Sequence, residues 1–261
     1  MKSTIFTSVL RGRKVALTAL VVTAMAASAY ADPVNIVNGN FSSTSGFGSN
    51  ELSNGSYSGQ NVSNWTNANG AYNFVFTSPS ASAPDQYSTL HNPDTVSLYS
   101  PHNSPLTASP AGGNFLALDS DYNQGAISQT IHGLQVGDLV TVSFYFAGAQ
   151  QTGYDGASTD YLQVSLGNQT EDTITLHDPS HGFTGWNEAS LTFTATSANE
   201  VLSFLAVGTP SGVPSFVLLD GVSATQTDPP GGSPVPEPGS LALLSTGLLG
   251  VGGLVRRRFA K

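Results

Sequence analysis

The chain has 261 residues, 17 acidic side chains against eight basic ones, and no cysteine. All eight cations lie at its ends, as Lys2, Arg11, Arg13 and Lys14 and as Arg256, Arg257, Arg258 and Lys261, so neither lysine nor arginine occurs between Val15 and Val255. This excludes nucleic acid as a partner, because its affinity rests on Lys and Arg neutralising phosphates, disfavours phosphate and sulfate ligands, and removes disulfides, thiol catalysis and cysteine metal sites; neutral sugars, divalent cations and cation bridging to an acidic polysaccharide stay open.

At the start, the four basic residues form an n-region, Val15 to Ala27 an apolar h-region, and Ala29-Tyr30-Ala31 a small-x-small cleavage site. Residues 1–31 therefore read as a secretory signal peptide, with Asp32 as the first mature residue. Residues 32–227 read as one domain, long enough to bury a core without disulfide staples.

Within that domain the dominant period is two. Ile127, Gln129 and Ile131 alternate with Ser128, Thr130 and His132, and Val140, Val142, Phe144 and Phe146 with Thr141, Ser143 and Tyr145. The same rule covers Leu162, Val164 and Leu166, then Leu191, Phe193 and Ala195, then Leu202, Phe204 and Ala206. Short alternating runs bounded by Gly, Asn, Asp and Pro predict antiparallel strands with one buried face. No mature segment keeps a helical period. The expected fold is all-β, an antiparallel β-sandwich of the jelly-roll kind.

Sugar recognition requires exposed aromatic faces. Tyr57, Trp65, Tyr72, Tyr87, Tyr99, Tyr122 and Tyr154 lie in loop-like, polar surroundings. Trp65, among Asn61, Asn64 and Asn67, is the foremost candidate, with Tyr57 and Tyr72 beside it. Its competing reading is a tryptophan at the edge of the core. Trp186 reads as a packing residue. Asp119 to Gly125 begins like an EF-hand loop, but its glycine is one place late and Thr130 stands where the bidentate Glu belongs, so it reads as a loop between strands. Catalytic signals are sparse: Glu171 and Asp172 are adjacent and face opposite sides of a strand, Gly55 to Gly59 has Tyr57 at the nucleophile position of a hydrolase elbow, and Asp178-Pro179 between His177 and His181 predicts a turn rather than a zinc pair.

Asp228 to Val235 is a Pro/Gly-rich linker. Pro236-Glu237-Pro238 follows, then an uncharged stretch from Gly239 to Val255, 17 residues, then Arg256-Arg257-Arg258. Such a stretch is at the lower limit for spanning a bilayer as a helix, and the arginines would hold its end on the cytoplasmic side. Residues 236–261 resemble the PEP-CTERM sorting signal of Gram-negative bacteria. The resemblance implies that a membrane protease, the exosortase, processes the chain near Pro236-Glu237-Pro238, after transient residence of the helix in the inner membrane.

Three segments resemble galactose-binding-like and carbohydrate-binding-module jelly rolls: Asn35 to Phe41 their opening strand, Gly125 to Phe146 their central hairpin, and Val217 to Ser223 their closing strand. That resemblance implies a structural calcium where the first and last strands meet, held by backbone oxygens near Asn38 and Asn40 and by the carboxylate of Asp220. The family's glutamate after the opening Asn-Gly-x-Phe is replaced by Ser42. The expectation is thus an exported, non-catalytic surface or extracellular-matrix protein with exopolysaccharide as its ligand class; the alternative is a secreted hydrolase acting on polysaccharide.

The charge distribution has a direct test. Heat-denatured residues 32–227 offer trypsin no Lys or Arg, so they stay intact in trypsin while chymotrypsin cuts at their aromatics. Tryptic fragments from inside that segment would contradict this.

Overall fold

The computed structural model describes residues 31–77, 82–84, 95–99 and 108–229. The strands are β1 (Asp32–Val34), β2 (Asn50–Glu51), β3 (Thr66–Asn67), β4 (Phe74–Thr77), β5 (Ser82–Pro84), β6 (Thr95–Ser97), β7 (Asn114–Asp119), β8 (Ile127–His132), β9 (Leu139–Gln150), β10 (Ser158–Leu166), β11 (Gln169–Asp172), β12 (Leu176–Asp178), β13 (Asn187–Thr194), β14 (Asn199–Thr209) and β15 (Ser215–Thr227). One sheet runs β13-β9-β15-β7-β4-β2, with β1 beside the end of β15; the other runs β11-β10-β14-β8-β3, with β12 beside β10; β5 and β6 form a separate ribbon. The described residues form an all-β, two-sheet antiparallel sandwich, and the expected sorting helix lies outside them.

The alternation seen in the sequence places the core between the sheets. Val140, Val142, Phe144 and Phe146 of β9 meet Leu162, Val164 and Leu166 of β10 and Leu202, Phe204 and Ala206 of β14. Apolar burial stabilises at roughly 25 cal/mol per Å². Beyond Phe146 the alternation stops, and Ala147 to Gln150 are buried on both faces. The cause is a second apolar layer on the outside of the first sheet, where Phe74, Phe76, Phe115, Phe216 and Leu218 pack with Val96, Leu98 and the partly buried Phe183 and Trp186. Trp186 is a packing residue, edge-on to Phe115 at 5.7 Å.

Two expectations need correction. Residues 35–41 are not a strand: β1 ends at Val34, and the chain then turns, with Asn38 and Phe41 at φ of 56° and 52°. The turn drives Phe41, fully buried, into the core and lays Gly39 against the last strand, where a Cβ would meet the Val222 carbonyl oxygen at 2.0 Å. Nor do β8 and β9 form a hairpin. They belong to opposite sheets, so the loop through Gly133 and Gly137 carries the chain across the sandwich.

Trp65 is also placed differently from the exposed-platform expectation. It is only 7% exposed, edge-on to Phe41 at 5.3 Å and tilted against Phe204 at 6.1 Å. Its Nε1 donates to the Asn38 carbonyl at 3.1 Å, which satisfies the one polar atom the ring would otherwise bury bare. A ring enclosed on both sides offers no face to a sugar. Trp65→Ala should therefore cost about 3–5 kcal/mol, read as a lower urea midpoint; an unchanged midpoint would show the ring to be dispensable to the core.

Candidate functional site

Strand register assembles one end of the sandwich. Asp119 at the end of β7 pairs with Phe216, and Gln150 at the end of β9 with Ser215. Thr209 at the end of β14 pairs with Thr159, and Asp178 at the end of β12 with Ser158. The connections 120–126, 151–157, 179–186 and 210–214 therefore all emerge at this end and form its rim.

Hydrogen bonds fix these loops to one another. The Asp119 carboxylate accepts the backbone N–H groups of Asp121, Tyr122 and Asn123 at 2.6–3.0 Å, so the stretch that begins like a calcium loop spends its first ligand on its own backbone. Asp121 Oδ2 accepts from Gly212 N at 2.8 Å, joining the 120–126 and 210–214 loops. Gln150 clamps two more: its Oε1 accepts from His181 N at 2.5 Å and its Nε2 donates to Gly156 O at 2.9 Å. Gly156 N donates to Ser180 Oγ at 2.9 Å.

On this frame stand the exposed aromatics. Tyr122 is 61% and Tyr154 42% exposed. Tyr99 stacks on the His181 ring at 4.5 Å and 28°, and its hydroxyl accepts from Gly153 N at 3.3 Å. His181 Nε2 lies 2.6 Å from Asp155 Oδ1. The rim thus presents aromatic faces beside carboxylate, imidazole and amide groups, a combination suited to the C–H faces and hydroxyls of a sugar. His177 is exposed while the His181 ring turns to Asp155, so the two histidines form no zinc pair.

Of the aromatics singled out earlier, Tyr72 is buried edge-on against Phe74 at 4.8 Å and touches the rim from below, through its ring contact with Tyr122 at 6.0 Å and its N–H to Asn123 O at 3.0 Å. Tyr57 is half-buried, its hydroxyl donating to Asn50 Oδ1 at 3.4 Å. With Trp65 in the core, the three do not form one surface. The missed signal is positional: Tyr122 and Tyr154 each lie between two alternating runs, but only the pairing shows that those loops share an end.

The expected metal residues are partly assembled. Gly39 meets the last strand two residues past Asp220, through the bond from Val222 N to Gly39 O at 2.9 Å. The Asn38 carbonyl oxygen is committed elsewhere, accepting from Trp65 Nε1 and from Phe41 N, each at 3.1 Å. Asn40 Oδ1 accepts from the Ser42 hydroxyl at 2.9 Å, and the Asn40 carbonyl faces Gly113. Asp220, fully buried at a bulge before Ser223, accepts from Gly221 N at 2.7 Å through Oδ1 while its buried Oδ2 has no hydrogen-bond partner. The donors present fit a calcium ligand at Asp220 and the backbone near Asn40, and none at Asn38. Among the described residues no three His, Asp or Glu side chains cluster as a metal site. A groove of about 480 Å³ between β1 and β15 is lined by Pro33 to Ile36 and Val222 to Thr225 and carries no ionisable side chain.

Ala29 and the sorting residues Pro236, Glu237, Pro238 and Arg256 to Arg258 lie outside the described residues, while Ala31 and Asp32 lead into β1. The PEP-CTERM protein-sorting motif matches residues 234–258. The chain carries a PEP-CTERM sorting motif. The motif implies export, exosortase processing and sorting to the cell surface. No curated protein matches the chain. Among solved structures, the chain is similar to TmCBM61 in complex with β-1,4-galactotriose, at 14% identity over 62% of this chain and 88% of that one, TM-score 0.32. It is also similar to a family 35 carbohydrate-binding module from Clostridium thermocellum, at 15% identity over 49% and 86%, TM-score 0.30, and to the CBM22-1 xylan-binding domain of Paenibacillus barcinonensis Xyn10C, at 10% identity over 64% and 87%, TM-score 0.32. Similarity this distant assigns none of their ligands to this chain.

Below the rim and at the β15 bulge, four buried carboxyls are raised above their ordinary range. Burial pushes Asp178 up to about 7, with the nearby Asp160 charge adding to it, and Asp220 up to about 6 against hydrogen bonds from Ser109 and Gly221. Burial also raises Asp119 and Asp160, against the backbone and serine donors they hold. Unfolded, each titrates near ~3.9, so the folded chain binds more protons between the two values. For Asp220 and Asp178 this contribution to stability is full below about pH 4 and is lost as pH rises through about 6 and 7. Chelator-treated protein should therefore melt higher at pH 5 than at pH 8 in scanning calorimetry; a melting temperature that is flat or rises over that interval would contradict it.

Proposed function

We propose that this PEP-CTERM protein is an exported, non-catalytic surface or matrix component whose rim of Tyr122, Tyr154 and the Tyr99–His181 stack binds neutral extracellular polysaccharide. The observation that carries the reading is the exposure of aromatic faces on loops locked to each other at one end of the sandwich. The absence of Lys and Arg from Val15 to Val255 supports a neutral ligand. The alternation of successive strands β7 to β10 and β13 to β15 between the two sheets supports a jelly roll. Asp220, with its buried unpartnered oxygen, supports a structural calcium at the bulge. A polysaccharide hydrolase would need a raised carboxyl within reach of a glycosidic oxygen; four of the raised carboxyls are at most 1% exposed, and the fifth, Asp138, lies beside Leu139 at the end of β9 away from the rim, which counts against that alternative.

Affinity electrophoresis of the full chain in gels of neutral and acidic polysaccharides tests the reading. Tyr154→Ala and Tyr122→Ala should each weaken binding about 2- to 10-fold, the scale of one aromatic contact at about 0.5–1.5 kcal/mol. Retardation should survive added salt, since screening acts on ionic contacts beyond ~8 Å. Retardation unchanged in both variants would remove the rim from the binding surface, and release of reducing ends would restore the hydrolase.

A further inference from the structure

Two carboxylates under the rim take no part in the polysaccharide surface. Asp160, near the start of β10, points into the inner core and is fully buried. Its Oδ1 accepts from the hydroxyls of Ser120 at 2.7 Å and Ser215 at 2.6 Å, and its Oδ2 from Ser158 at 2.7 Å. Asp178 sits opposite Ser158 in the β10–β12 register, and both it and Asp160 are on the buried face of their strands. The two side chains are therefore diagonal neighbours on one face. Asp178 is 1% exposed, and neither of its oxygens has a hydrogen-bond partner.

A carboxylate taken from water and given no donor is among the most costly arrangements a fold can hold. Buried carboxylates are normally matched by a cation or by donors. This chain has no Lys or Arg from Val15 to Val255 to offer, and the nearby His181 ring is turned outward to Asp155. The backbone nevertheless closes over the pair. A Cβ on Gly182 would lie 2.2 Å from Asp178 Oδ1 and 2.5 Å from the Pro179 carbonyl oxygen, and one on Gly148 would face both Thr184 and Asp160 Oδ2. Two carboxylates, serine hydroxyls and a backbone carbonyl converge where there is no positive charge.

We propose that Asp160 and Asp178 bind a divalent cation of the calcium class at this end of the inner core, with the Ser158 hydroxyl and the Pro179 carbonyl among the remaining oxygen ligands. An all-oxygen set suits calcium, which takes six to eight such ligands, and not zinc, which takes nitrogen and sulfur. The site is separate from Asp220, which lies on the outer face of β15 with Phe216 and Leu218. The inference stands whether or not the rim binds polysaccharide. Its consequence is that the ion ties the 179–186 loop, and with it His181, to β10.

The test uses the full chain, stripped with EDTA and titrated with calcium to ~1 mM, the weak end of the range for extracellular modules. Native mass spectrometry should count one fewer calcium per chain in Asp178→Asn than in the wild type, and Asp220→Asn should keep the ion that Asp178→Asn loses. In the unsubstituted chain, calcium should slow amide hydrogen exchange at 158–160 and 176–184; this arm decides the matter should Asp178→Asn fail to fold. No calcium bound by the wild type, an unchanged count in folded Asp178→Asn, or protection confined to 109–114 and 220–222 would overturn the proposal.

Discussion

The structure depends on one constraint: none of its described residues is a lysine or an arginine. Each carboxylate must then be solvated, hydrogen-bonded by neutral donors, paired with a histidine, protonated or bound to a metal. The first two solutions recur. Glu200 Oε1 takes the backbone N–H groups of Thr196 and Ser197 and the Thr196 hydroxyl; Asp119 takes three N–H groups, and Asp160 three serine hydroxyls. Hydrogen bonds to a charged group stabilise by about 1.5–3 kcal/mol each, so such clusters do locally what salt bridges do elsewhere. Asp178 has none of these donors, which is why it stands apart.

With charge unable to bind the layers together, cohesion falls to apolar burial and to the sheet ladders. Nine phenylalanines have relative exposures below 2%: Phe41, Phe74, Phe76, Phe115, Phe144, Phe146, Phe193, Phe204 and Phe216. They divide between the inner core and the outer layer on the first sheet. The outer layer matters to the rim. It buries the far half of β9 on both faces and packs Phe183 and Trp186, so the 179–186 loop is anchored at one end by aromatics and at the other by β12.

Alternation made the long strands legible, because a strand with one wet face must repeat with period two. It even placed Gln129 correctly on the core face. What the pattern could not show is that this glutamine exchanges hydrogen bonds with the Val37 backbone and donates to Asn64 O, stitching the opening turn to β8. Trp65 was harder to read, since polar neighbours in sequence say nothing of a ring that swings inward between Phe41 and Phe204. Asp178 was legible only as half of a turn dipeptide. Its burial follows from pairing with Ser158, a contact between segments 20 residues apart, and long-range register is not written in either segment alone.

The same register orients the molecule. β15 starts at the rim with Ser215 and ends at Thr227, a strand of 13 residues, and β1 pairs with its far end, Asp32 opposite Gln226. At about 3.3 Å per residue, β15 carries the chain roughly 40 Å from the rim before the linker to the PEP-CTERM motif begins. Both ends of the sandwich domain therefore lie away from the aromatic loops.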